Sequence, residues 1–250
     1  MKPAKSRGTV PTAAPRSVAS RELLDLRWNY PVHAIEKATG SEHGTGVEAR
    51  REALPREKAI EVLAGNDPRP LLVLRECTVC NKTDDALLSS NGSNERTLVL
   101  ARFFRCVKLP VDVVDPNHPF NALFPTNEAE HLFVALRDGS AKKPLESDTS
   151  RTELWSAMEA TLAATYGIDA YKVTRLVLAG LDRVDECERK FTQLETRKGQ
   201  LMETPNVDVA KVKSVDVDLE TAKKDVAEAR AAVTRLFQVE VKVPAAGAAR

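Results

Sequence analysis

The chain has 250 residues, of which 42% are apolar and 5% aromatic, and its net charge is +1. That supports one medium domain with an appendage, or two small domains, around mostly aliphatic cores. The near-neutral balance implies no global electrostatic partner, so nucleic acid and anionic membranes are not expected ligands. No apolar run approaches the roughly 20 residues that span a bilayer, so no membrane span is expected.

Residues 1–20 are Pro, Ala, Ser and basic side chains with little to bury, and read as a disordered basic tail. Lys2, Lys5, Arg7, Arg16 and Arg21 occur without any acid, but the apolar core of a secretory signal is missing. The expected compartment is the cytoplasm. A start placed too far downstream would have removed a signal and left a periplasmic or exported protein. Leu23, Leu24, Leu26 and Trp28 are enough for a short docked helix or strand. Residues 39–47 hold three glycines and read as loop. Ala53, Leu54, Ala59, Ile60, Val62 and Leu63 give residues 48–63 the apolar face of a helix, with Pro55 either kinking it or marking its first turn.

The most informative segment follows. Leu71-Leu72-Val73-Leu74-Arg75-Glu76 is a short apolar run, preceded by Pro68 and Pro70, as a buried central strand would be. It delivers Cys77-Thr78-Val79-Cys80 to the start of a helix expected to run to about Leu88. A thiolate at a helix N-terminus is stabilised by the dipole and by free backbone N–H groups, and a second Cys three residues on is placed to resolve a mixed disulfide. Glu76, Asp84 and Asp85 act in the opposite direction, because negative charge disfavours a thiolate. Cys77 and Cys80 are therefore the candidate site, with Cys77 as attacking and Cys80 as resolving thiol. The alternatives are an idle reduced pair and half of a metal site. A structural zinc needs four ligands, and the chain holds no second CxxC and no HxxxH. No metal and no cofactor is expected.

Cys106 in a strand-like stretch and Cys187 on a helical seam read as small buried apolar residues. A second helical piece covers 95–104, and a strand-like stretch 106–114 contains Pro110, a sign of an edge or a bulge. A Pro-rich loop spans 115–127, a strand 131–136, and a turn Asp138-Gly139. Residues 150–166 form an amphipathic helix with Leu154, Trp155, Met158, Leu162 and Tyr166 on one side. His131 beside the dithiol has the chemistry of a base or a ligand, although a lone strand His is more often structural. His33, His43 and His118 fall in loop-like segments without partner spacing.

This order of elements resembles the thioredoxin-like family over about residues 45–167. An opening helix leads to an apolar strand, Cys77-Thr78-Val79-Cys80, a helix, two strands, the turn at Asp138-Gly139, and a last helix with Trp155. Where that family carries Trp-Cys-Gly-Pro-Cys, this chain has Glu76-Cys77-Thr78-Val79-Cys80. Leu71 stands at the position of the family's buried acid, and His131 aligns with its cis-proline. The resemblance implies an α/β thioredoxin-like α/β/α sandwich and dithiol–disulfide exchange with a protein partner.

The rest differs in kind. Val173, Val177, Gly180, Val184, Cys187, Phe191, Leu194, Lys198 and Leu201 alternate spacings of four and three, and so do Val212, Val215, Leu219, Ala222, Val226, Ala229, Val233 and Leu236. These are heptads in two arms around a break at 203–208. They predict an antiparallel coiled-coil hairpin, or a long helix that pairs with another chain. Residues 168–238 carry 13 basic and 13 acidic side chains, a solvated mixed surface and no nucleic-acid stripe.

The expected organisation is a tail (1–20), a thioredoxin-like domain with an N-terminal extension (21–167), a separate coiled-coil hairpin (168–240) and a second tail (241–250). Two functions follow. One is a thiol–disulfide oxidoreductase acting on a protein partner. The other is a non-enzymatic scaffold whose coiled-coil arm mediates protein interaction or homo-oligomerisation.

Overall fold

The computed structural model describes residues 15–32, 52–76, 87–89, 94–124, 131–146 and 149–238. They form a small mixed sheet with helices on both faces, continued by a long helical C-terminal part. The sheet contains β1 (Leu71–Arg75), β2 (Arg105–Leu109), β3 (Leu132–Ala135) and β4 (Lys143–Leu145), in the order β2-β1-β3-β4. β1 runs parallel to β2 and antiparallel to β3, and β3 runs antiparallel to β4.

Alternation along the strands divides the core into two. Leu72, Leu74, Cys106, Leu132 and Val134 face one way. They pack with α3 (Glu95–Ala101), α4 (Arg151–Tyr166) and the root of the helical part. Leu71, Val73, Val107, Leu109, Phe133 and Ala135 face the other way, against Ala59, Ile60 and Leu63 of α2 (Arg56–Ala64) and against Phe120, Leu123 and Phe124. Burial on both faces is why β1 reads as an unbroken apolar run.

Element ends follow local chemistry. Pro55 stands just ahead of α2, where its missing N–H costs nothing. β2 stops at Leu109, because Pro110 cannot donate to a ladder, and a 3-10 turn over Val111–Val114 takes the place of the expected strand extension. Ser150 and Glu153 form a capping box at the start of α4: the Ser150 hydroxyl accepts from the Glu153 N–H, and the Glu153 carboxylate accepts from the Ser150 N–H. The β3–β4 turn presses on α2. A Cβ on Gly139, at φ 77°, would lie 2.7 Å from Ile60 Cγ1.

The helical part is α5 (Ala170–Met202) and α6 (Val209–Leu236), joined by the expected break. Asp169 and Asp208 cap their N-termini. The helices run antiparallel, since Lys198 Nζ lies 2.7 Å from Asp216 Oδ1 and Gly180 faces Val233.

Two expectations are corrected. Residues 15–20 do not belong to a featureless tail: Ser17 caps α1 (Val18–Leu23), and Ala19 and Ser20 are buried. The hairpin is also not a separate unit at its root. Val177, Leu181, Val184 and Val233 are fully buried within the same cluster as Leu72, Leu74 and Leu132. The heptad seam of the root is part of the α/β core.

Candidate functional site

Cys77 and Cys80 lie outside the described residues, as do His33, His43, Asp84 and Asp85. The strand that leads to the pair is described up to Glu76. β1 lies inside the sheet, and its C-terminal end opens between β2 and β3. The chain passes from β1 to β2 on one side and later returns to β3 on the other. The end of β1 is thus the point at which the strand order reverses, where open α/β sheets place their sites.

Three neighbours define this corner. The Glu76 N–H donates to the Leu109 carbonyl at 2.9 Å, which ties the strand exit to the end of β2. The Glu76 carboxylate lies 2.8 Å from Lys108 Nζ, so the charge expected to disfavour a thiolate is already countered. On the other side, the Arg75 N–H donates to the His131 carbonyl at 2.7 Å.

The side-chain layer below is cationic and aromatic. Arg75 is only 6% exposed and lies 5.8 Å from the centre of the Phe124 ring. Lys142 Nζ lies 4.7 Å from the Phe133 ring centre and 5.7 Å from that of Phe124, and donates to the Leu123 carbonyl at 3.1 Å. His131 is 8% exposed, and its Nδ1 has no hydrogen-bond partner among the described residues. Burial, and secondarily the Arg75 charge, hold its pKa below the ordinary imidazole value, so it is neutral at pH 7. The His118 Nδ1 accepts from the Phe120 N–H at 3.2 Å, and its Nε2 lies 3.8 Å from Asp112 Oδ1. His118 therefore has a structural role in the turn after β2.

The other two cysteines are placed as expected. Cys106 is buried in β2, where burial pushes its pKa up to about 12, and Cys187 is buried on α5. A protonated, enclosed thiol is inert. Among the described residues no group of three or more His, Cys, Asp or Glu side chains could hold a metal ion. No described helix is long and apolar enough to cross a membrane.

Sequence reasoning singled out the cysteines and His131 but passed over Arg75, Lys108, Lys142 and Phe124. The available signal was the cation that ends the apolar run of β1. The others come from strands and turns that only the sheet register brings together. Comparison with family models, curated proteins and solved structures returns no match for this chain.

Proposed function

We propose that the protein is thioredoxin-like and exchanges a dithiol at Cys77 and Cys80 for a disulfide on a protein partner. The observation that carries this reading is the end of β1: a central strand that stops at the reversal of strand order, beside buried Arg75 and with Glu76 paired to Lys108. A cation near a thiol at a strand-to-helix corner favours the thiolate, which is the chemistry this reading needs. A parallel β1–β2 pair followed by an antiparallel β3–β4 pair and a closing helix agrees with the element order on which the family resemblance rests.

In this reading the Cys77 thiolate attacks one sulfur of the partner's disulfide. A mixed disulfide forms and the partner's other sulfur leaves as a thiolate. The Cys80 thiolate then attacks Cys77 Sγ, closes the Cys77–Cys80 disulfide and releases the second partner thiol. Two electrons pass from the protein to the partner, and the reverse sequence oxidises a dithiol partner.

The deciding experiment is mixed-disulfide trapping in the full chain. Cys80→Ser should accumulate a covalent adduct with a disulfide substrate, and Cys77→Ser should not. Equal insulin reduction by the parent protein and by the double Ser variant would sink the reading.

A second reading, a non-enzymatic thioredoxin-like scaffold with a coiled-coil arm, is favoured by one observation. Phe191, Leu194, Leu219 and Val226 lie on the seam of the outer hairpin yet stay only partly buried. Such a seam suits association with a partner helix or a second copy. A sedimentation series over concentration tests it: a mass fixed at one chain would exclude self-association.

A further inference from the structure

Residues 16–29 connect the hairpin root to the outer edge of the sheet, and the two ends are fastened by different chemistry. At the first end Arg16 meets three carboxylates. Its Nε and Nη2 donate to the two oxygens of Glu95 on α3, both at 2.9 Å. Its Nη1 donates to Asp182 at 2.6 Å and to Asp185 at 2.8 Å, both on α5. The Ser17 N–H adds a bond to Asp185 at 3.0 Å, and the Ser20 hydroxyl donates to the Leu181 carbonyl. At the far end Asn29 pairs with β2 as a single parallel bridge. Its N–H and its side-chain amide both donate to the Cys106 carbonyl at 2.9 Å, and its carbonyl accepts from the Lys108 N–H at 2.9 Å. Between the ends, Ala19 and Leu24 are buried, and Leu23, Leu26 and Trp28 pack against the main core.

We propose that this segment is a latched strap: Arg16 is the latch, and its release lifts the strap from the outer edge of β2 while sheet and hairpin remain folded. β2 is an edge strand, and an uncovered edge is a template for unwanted pairing. Asn29 covers it with one residue. So short a cover cannot hold itself, and α1 has only six residues, too few to be stable alone. Asn29 is therefore held through the rest of the segment: the apolar contacts of residues 19–28 fix its path, and the Arg16 fastening closes its free end.

The latch is unbalanced by design of its charges. One guanidinium holds three carboxylates, and without it Glu95, Asp182 and Asp185 face one another across α3 and α5. Burial alone would lower the pKa of Arg16, but the three carboxylates raise it, so the cation itself never titrates. The titrating side is the acids. Burial would raise the pKa of Asp185, yet hydrogen bonds from Ser20, Arg16 and Ser17 hold it below its ordinary value. Its stabilisation is complete at neutral pH and is lost as pH falls through that lowered value. On α1 and α6, Glu22 and Arg230 are paired with each other at 2.7 Å.

Amide hydrogen exchange on the full chain tests the proposal. In Arg16→Gln the Lys108 and Leu24 amides should exchange about tenfold faster or more, with Val73 and Val134 unchanged, as for a local opening. Unchanged protection at Lys108 would overturn the strap, and so would an equal rise at Lys108 and Val73, which signals global loosening. If that variant does not fold, the parent protein is followed from pH 6 down through 3.8, the ordinary aspartate value, to about pH 2, with intrinsic rates divided out. The protection of Lys108 relative to Val73 should fall with acid, and a constant ratio would overturn the proposal. Neither measurement involves the cysteines, so the strap and the dithiol reading fail separately.

Discussion

The root and the outer half of the hairpin carry the same alternation of four and three, yet they are different materials. At the root, Val177, Leu181, Val184 and Val233 are 0% exposed, because α1, α3 and α4 pack over the seam. Farther out only two helices meet: they enclose the small Val215 and Ala222, but Phe191, Leu194, Leu219 and Val226 keep part of their surface in water. A heptad pattern specifies which residues face a partner helix. It does not specify how much else covers them, and the cover sets the energy.

Leucine truncation should give the largest contrast. Leu181→Ala removes a side chain from a closed core and should cost about 2–5 kcal/mol, with a cavity left behind. Leu219→Ala at an outer seam position should cost about 1 kcal/mol, since half a leucine's transfer energy is at stake. Urea unfolding of both variants measures the difference. Similar midpoints would mean that the outer seam is covered after all, as by a second chain, and would favour the scaffold reading.

Gly180→Ala should follow in size. A Cβ there would lie 2.7 Å from Val233 Cγ2, and Val233 is both fully buried and stiff at χ1. Alanine favours a helix by about 1 kcal/mol over glycine, but overpacking of this kind typically costs about 1–3 kcal/mol. The variant should lose stability on balance, seen as a lower melting temperature. A gain would show that the root seam can shift apart at little cost.

The parts legible in the sequence were those that write a period. The apolar run of β1, the apolar face of α4 and both hairpin arms were visible, because each declares itself within a few residues. β4 was not: Lys143-Pro144-Leu145 has one inward residue and a proline, and reads as loop. The strap was not either. Arg16 and Ser17 look like tail because their partners lie 79 and 166–169 positions away. The candidate site was split in the same way. The spacing of Cys77 and Cys80 is local, whereas Arg75 opposite His131, and Glu76 on Lys108, are products of strand register. Long-range pairing leaves no local pattern, so charge and burial at the corner had to come from the fold.

Gly199→Ala should have the smallest effect and the opposite sign. Gly199 lies on α5 near the hairpin tip, and a Cβ there would meet nothing within 4 Å. No clash opposes the substitution, so only the helical propensity remains. A glycine inside an exposed helix costs about 0.5–1 kcal/mol relative to alanine, through the backbone freedom it loses on folding. The variant should therefore gain up to that amount, provided the outer hairpin is folded in the cooperative unit that the melt reports. If the hairpin frays beyond the root before the core melts, the gain will appear only as slower exchange of α5 amides around position 199, with the global midpoint unmoved. That outcome would sharpen the division between the two halves. A loss of stability would contradict it, since it would require a neighbour over Gly199 that a two-helix tip does not supply.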